Sequence, residues 1–485
     1  MTVRTRLENP VVDGPLAAEI ARFGAPLAVG MALQNTFNLV DATLLAQLPH
    51  GEVGAAMGAL GLCDQVAALG TILSYGVSTA AAAVVANRKG AGDTDGIRRV
   101  TWQSLLVVLV LGALFAVAGL FGSSFIVRTV IGAKGAVADV AVPYLRVAVG
   151  GSFAMFLLLQ LTAIQRALGS SKTPVALLVS GNLLNVVLAV LLVFGPGDVP
   201  SWLAWGPPLA RALGIPRMGL VGAAYATMIA RLVVLVPLVL VMAKRFALPW
   251  ARAGERRPDP REIVPLVRIA WPTSTQMVVR ILAMLFVNAL VARAFTTDTD
   301  QTASTALGVV FRLDTFALFV AMGWGSAAQT FVGQNVGAGK DDRARASGWI
   351  TAVYDVVTSL ILLLALRAYG AVLLGVFIDD PRAIGTALRY LGIVAPSYVA
   401  LGFGVVLGNA MAGARATKTT MVVDLAVVLA FQVPVALLTL PVYGTLDALF
   451  ASVAATNVVS GIAYAAVYAW GRWRRAYVEG AILTP

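Results

Sequence analysis

Residues 34–47 read QNTFNLVDATLLAQ, an apolar run that carries Asp41 in its middle. Gln34, Asn38 and Asp41 stand at i, i+4 and i+7, so a helix places all three polar side chains on one face. The apolar pattern extends upstream, and the whole run from about 17 to 48 has the length of a membrane-spanning helix. An ionisable group inside such a helix costs several kcal/mol unless it faces a cavity or a partner, which makes it a candidate functional site.

The rest of the 485-residue chain has the same character. Hydrophobic residues make up 59% and charged residues 12%, with a mean hydropathy of +0.84, which excludes a soluble fold. A single cysteine, Cys63, and a single histidine, His50, leave no disulfide framework, cysteine metal site or zinc enzyme. No metal and no organic cofactor are expected. The net charge of +12 sits in short loops between apolar runs, where membrane topology accounts for it and nucleic acid does not. Residues 1–15 lack the apolar core of a signal peptide, so no removed leader is expected.

Spanning-length runs fall at roughly 17–48, 52–86, 98–122, 140–167, 174–195 and 218–243, then 263–296, 301–335, 344–369, 384–413, 419–440 and 445–471. The fold class is therefore an all-α polytopic membrane protein of twelve transmembrane helices. Pro26 and Pro272, in the first helix of each half, are natural kink points. The loops after helices 2, 4, 6, 8 and 10, with both ends, hold most of the arginine and lysine, including Arg88, Arg166, Arg257, Lys340 and Arg415. The positive-inside rule then puts both termini in the cytoplasm of a multi-pass cell-membrane protein.

The two halves repeat. Arg22 and Pro26 recur as Arg268 and Pro272, VANRKGAGD at 85–93 recurs as VGQNVGAGKDD at 332–342, and Lys172-Thr173 recurs as Lys418-Thr419. The offset stays near 246 residues throughout. An even helix count per half gives both copies the same orientation, related by a pseudo-twofold axis along the membrane normal. The chain divides into an N-terminal lobe, 1–245, a cytoplasmic linker, 246–262, and a C-terminal lobe, 263–485. Two six-helix lobes facing one another across a cavity suit alternating access.

Several stretches together resemble the multidrug and toxic compound extrusion (MATE) family: FNLVD at 37–41, GAGD at 90–93, RALGSSKTP at 166–174, NLLNVVL at 182–188, GLVGAAYAT at 219–227 and VGQNVGAGK at 332–340. The first is most similar to the DinF-like branch. That resemblance implies cation-coupled export with a protonatable aspartate in the N-terminal lobe, carried here by Asp41 with Asn185 as its polar neighbour. Two positions depart from the family pattern. The second aspartate common in that branch is Ala189, and the acidic residue that another branch has eight positions after the seventh-helix proline is Arg280.

Helix rise alone places Asp41 about 10 Å, Asn185 about 15 Å and Thr227 about 12 Å from the outer ends of their helices, so they can meet. Asn38, Asn185 and Asp64 join Asp41 as the ion-coupling set, with Asp64 a second acid that would compensate for Ala189. Gln34, Asn182, Tyr225, Thr227, Arg280 and Asp314 form the expected substrate cavity. Asn and Gln also bridge spanning helices purely as structure, and this reading leads for Tyr225 and Thr227. In the second half, Arg280 and Asp314 are expected to pair, the alternative being that Arg280 selects anionic or zwitterionic substrates. Asp355 and Asp424 read as structural or interfacial.

The GAG loops read as turns in which glycine supplies positive φ. They are not phosphate cradles, because Gln334 and Asp341 occupy the positions where a P-loop needs glycine and Ser or Thr. The function expected is a secondary antiporter exporting amphipathic drugs or a native metabolite in exchange for protons, with sodium the second choice. It is expected to be a monomer without an obligatory protein partner. A lipid-linked oligosaccharide flippase of the same superfamily is the alternative; the small amount of chain after helix 12 counts against it. An integral-membrane enzyme would rest on Asp298-Thr299-Asp300 alone, so no catalytic residue is expected.

Overall fold

The computed structural model describes residues 9–246, 252–297, 299–377 and 380–474, with the side chains of residues 35–42, 50 and 253 outside the description. Twelve helices of spanning length and apolarity occur among the described residues, and no strand. We label them α1 (Leu16–Ala46), α2 (His50–Ala91), α3 (Thr94–Phe125), α4 (Gly135–Ala167), α5 (Lys172–Ala189) and α6 (Gly219–Phe246). The second half holds α7 (Pro260–Phe295), α8 (Thr302–Gly337), α9 (Asp341–Gly375), α10 (Pro381–Gly413), α11 (Thr417–Tyr443) and α12 (Leu446–Trp470). The protein is thus an all-α, two-lobe, multi-pass membrane protein.

The expected spans match these helices to within a few residues, and the departures have local causes. α4 breaks at Gly151, and α10 breaks at the 3-10 turn Ala395–Ser397 around Pro396, so each apolar run is two helices. The two breaks stand at equivalent points of the repeat. Pro26 and Pro272 both lie inside unbroken helices. α2 runs past Gly90 and ends at the left-handed Gly92, φ 77°.

Packing separates the molecule into two ends. At the basic end, which holds the loops after the even-numbered helices, two cores form, and each borrows a helix from the other half. Leu266, Ile269 and Ala270 of α7 pack into the core of α2, α3, α4 and α6. Ile20, Phe23, Leu27 and Ala28 of α1 pack into the core of α8, α9, α10 and α12. At the opposite end the cores no longer mix: Leu44 and Leu45 of α1 join residues of α2–α6, while Val287 and Val291 of α7 join residues of α8–α12. α1 and α7 therefore cross from one lobe to the other along their length. The lobes are joined at the basic end and separate toward the opposite end.

Polar contacts close the joined end. Asn87 donates to the carbonyls of Gly333 (2.8 Å) and Gly413 (3.0 Å), and Arg415 donates to its Oδ1 at 2.7 Å. Gln334 donates to Ala167 O at 2.7 Å, and Gln329 to Thr79 O at 2.9 Å. Here the repeated GAG segments meet: a Cβ at Gly90 would overlap the Gln334 carbonyl, and one at Gly337 would overlap the Asn87 carbonyl. The positive φ expected of these loops is supplied by the second glycine of each, Gly92 and Gly339. From residue 252 the linker docks on α3, with Gln103 donating to Arg257 O (2.8 Å), Trp102 to Arg256 O (3.1 Å) and Arg98 to Glu255 (2.9 Å).

Candidate functional site

The N-terminal lobe encloses a cavity of about 70 Å³ between α1, α4, α5 and α6, with Gln34, Gly181, Asn182, Asn185, Thr227 and Arg231 among its walls. Asn182 and Asn185 share a face one turn apart, as do Thr227 and Arg231, because a helix repeats every 3.6 residues. Asn185 is buried, while Thr227 returns its hydroxyl to Ala223 O at 3.0 Å within its own helix. Gln34 brings the α1 face to this cavity. One and two turns further along that face come Asn38 and Asp41, whose side chains lie outside the described residues.

Gln34 also borders a second cavity, of about 60 Å³, at the seam between the lobes. α2 gives it Tyr75, α4 gives Thr162 and Arg166, α8 gives Ser326, and α10 gives Asn409. Tyr75 and Asn409 continue into a third space with Gln276 and Arg280. The polar tract thus runs from the N-terminal lobe across the seam to the C-terminal lobe.

The C-terminal lobe holds the largest of these interior cavities, about 220 Å³, walled by aliphatic residues with Arg280, Asp314, Tyr390 and Asp424 among its polar groups. Arg280 pairs with Asp424, Nε to Oδ2 at 2.8 Å and Nη2 to Oδ1 at 3.4 Å. Tyr464 donates to Asp424 Oδ1 at 2.8 Å, and Gln276 donates to the Tyr464 hydroxyl at 2.8 Å. Asp314 instead accepts from two tyrosines, Tyr390 at 2.5 Å and Tyr398. Each acid here has its donors inside the lobe, as charges in a membrane require.

These positions sort the sequence expectations. Gln34, Asn182, Asn185 and Thr227 converge in the N-terminal cavity, and Arg280 and Asp314 in the C-terminal one. The expected Arg280–Asp314 pair is not formed. α7 lies against α11, which carries Asp424 to Arg280, whereas Asp314 on α8 meets the tyrosines of α10. Tyr225 is 39% exposed, since two residues before Thr227 is the far side of α6. Asp64 is also exposed and lines none of these cavities. Asp355 is fully buried against Gly402, and Asp424 belongs to the ion pair and not to an interface.

Sequence reasoning missed Arg231, Arg166, Tyr75 and Tyr464. Arg231 was signalled by its four-residue spacing from Thr227, and Arg166 by the same spacing from Thr162. The expected span 140–167 includes Arg166, which counts there as a loop charge; it stands in the last turn of α4, which ends at Ala167.

Comparison with known proteins agrees with this architecture. The MatE family model matches residues 26–191 and again 272–438, one copy per half. The chain is 25% identical over 417 residues to the probable multidrug resistance protein YpnP of Bacillus subtilis, covering 85% of this chain and 86% of that one. It is 23% identical over 463 residues to the FAD transporter of Shewanella oneidensis, covering 93% and 94%. Among solved structures, an outward-facing multidrug resistance MATE family transporter superposes with a TM-score of 0.83 at 20% identity, covering 99% of both chains. A MOP superfamily transporter from Pyrococcus furiosus does so at 0.82 and 20% identity, covering 98% of both.

Proposed function

The chain belongs to the MatE family of multidrug efflux transporters, and from that premise we propose that it is a proton-coupled antiporter exporting amphipathic organic molecules through Asp41. The observation that carries this reading is the path of α1. The helix bearing Asp41 starts in the core of the C-terminal lobe and ends in that of the N-terminal lobe. A change of charge on it therefore acts on the contacts that join the lobes. Its Gln34 face borders both the N-terminal cavity and the seam.

In this cycle the lobes open at the end away from the basic loops, which we take to be the cell exterior, with both termini in the cytoplasm of the cell membrane. A proton from that side neutralises Asp41, the substrate leaves, and the lobes rock to open the basic end. There the proton is lost and new substrate enters. A tenfold difference in proton affinity between the two lobe arrangements biases their equilibrium by about 1.4 kcal/mol, enough to drive a cycle when the gradient maintains it. The amide-rich N-terminal cavity lies on the face of α1 that continues to Asp41, which supports the choice of that acid. The acids lining the C-terminal cavity, Asp424 and Asp314, are held by Arg280 and the tyrosines, and Asp355, buried in the same lobe, lines none of the cavities described.

The test is dye export by the purified protein in proteoliposomes under an imposed pH gradient or an imposed sodium gradient. Export following the pH gradient alone supports the proposal. Export following sodium alone reassigns the ion, and no export under either gradient removes the antiporter reading.

A further inference from the structure

Resting on the transporter reading, we propose that Arg166 anchors an anionic group, a carboxylate or phosphate, of the transported molecule, making amphipathic organic anions a substrate class. Arg166 stands in the last turn of α4, half-buried, and its side chain makes no hydrogen bond or ion pair among the described residues. It faces the cavity at the lobe seam, where the described lining is neutral: amides, hydroxyls and apolar side chains, with no carboxylate.

Other arginines of the chain show what is missing. Arg280 has Asp424, Arg88 has Glu262 and Arg98 has Glu255, at 2.8, 2.8 and 2.9 Å. A topology-setting arginine at a helix end normally carries its charge out to water or headgroups. Arg166 instead turns inward, where an uncompensated charge is costly, and a ligand that brings the counter-charge removes that cost. The guanidinium presents a fork of donors matched to a carboxylate or phosphate.

Its setting suits a molecule that spans both lobes. The Arg166 carbonyl accepts from Thr330 of α8 at 3.3 Å, fixing this turn to the C-terminal lobe. Through Gln34 the seam cavity continues into the N-terminal cavity, and through Tyr75 and Asn409 it continues toward Arg280. A ring system lying along this tract would set its charged end on Arg166. Lobe motion at the basic end would then dismantle the anion site, because helices of both lobes form its walls.

The test compares riboflavin with riboflavin 5′-phosphate, which share a fluorescent ring and differ by one phosphate, on the full chain in phosphatidylcholine nanodiscs. Binding of the phosphate form is expected to be tighter by about tenfold or more in the wild type. Arg166→Gln should erase the difference, and Arg166→Lys should keep part of it, as a point charge without the fork. If Arg166→Gln does not elute as a folded monodisperse protein, Arg166→Lys carries the test and must weaken the phosphate form while leaving riboflavin unchanged. Equal binding in the wild type, a preference that survives Arg166→Gln, or one left undiminished by Arg166→Lys overturns the proposal. So does a preference abolished by adding phosphatidylglycerol, which would give the site to a lipid headgroup. Proton-driven export of a neutral dye is measured alongside: its loss with the phosphate preference intact breaks the transporter reading alone, and the reverse breaks this inference alone.

Discussion

The two lobes come from one repeat and share helix order, crossing helices and the GAG contact, yet their interiors are opposite in kind. The C-terminal cavity is the larger, and its ionised groups are already satisfied, Arg280 by Asp424 and Asp314 by Tyr390 and Tyr398. The N-terminal cavity is narrow and dominated by amides, with Arg231 the charged group in its described lining. The repeat has preserved packing without preserving chemistry. The charges lining one cavity are locked to partners, and the other cavity offers amides, a hydroxyl and Arg231 as its polar surface.

The largest expected effect attacks the locked lobe. Arg280→Met leaves Asp424 buried opposite an apolar side chain, and breaking such a pair costs about 3–5 kcal/mol. Thermal unfolding in detergent should show the loss, and adding Asp424→Asn should restore much of it. A full loss with no rescue would mean that Arg280 acts beyond the pair.

Where the lobes are equivalent, they should respond alike. Gly337→Ala forces a methyl against the Asn87 carbonyl, and Gly90→Ala forces one against the Gln334 carbonyl. Overpacking of this kind costs about 1–3 kcal/mol. Both variants should favour the arrangement open at the basic end, read as faster thiol labelling of a cysteine placed at the buried Ser170 in a Cys63→Ser background. A response in one variant only would break the symmetry of the latch.

The smallest effect concerns the linker, which docks on the N-terminal lobe. The Arg98 guanidinium donates to Glu255 and holds its carboxyl down to about 2, against an ordinary value of 4.5. A depressed pKa gives stability that is complete above about 4.5 and fades as pH falls toward 2. The melting gap between wild type and Glu255→Gln should therefore be constant at pH 6 and shrink below about 4.5. A gap independent of pH would show that this contact contributes nothing through its charge.

Most of the fold was legible because a bilayer demands long apolar helices and basic loops, both written in local composition. The breaks at Gly151 and Pro396 were not, since a run of apolar residues looks the same whether one helix or two cross it. The positive φ expected of each GAG loop is found at Gly92 and Gly339, whereas the close approach served by the helical Gly90 and Gly337 is revealed only by the partner backbone. At the site, helical spacing gave Asn182, Asn185 and Thr227 their common cavity. It could not choose the partner of Arg280, because that depends on which helix lies beside α7.

Exchange of a proton for substrate at Asp41 has a direct readout in proton release. Substrate is added to purified protein in weakly buffered detergent with a pH indicator. The wild type should release close to one proton per substrate bound, and Asp41→Asn should bind substrate and release none. Equal release from both proteins would contradict it, and so would binding by the wild type with no release at all.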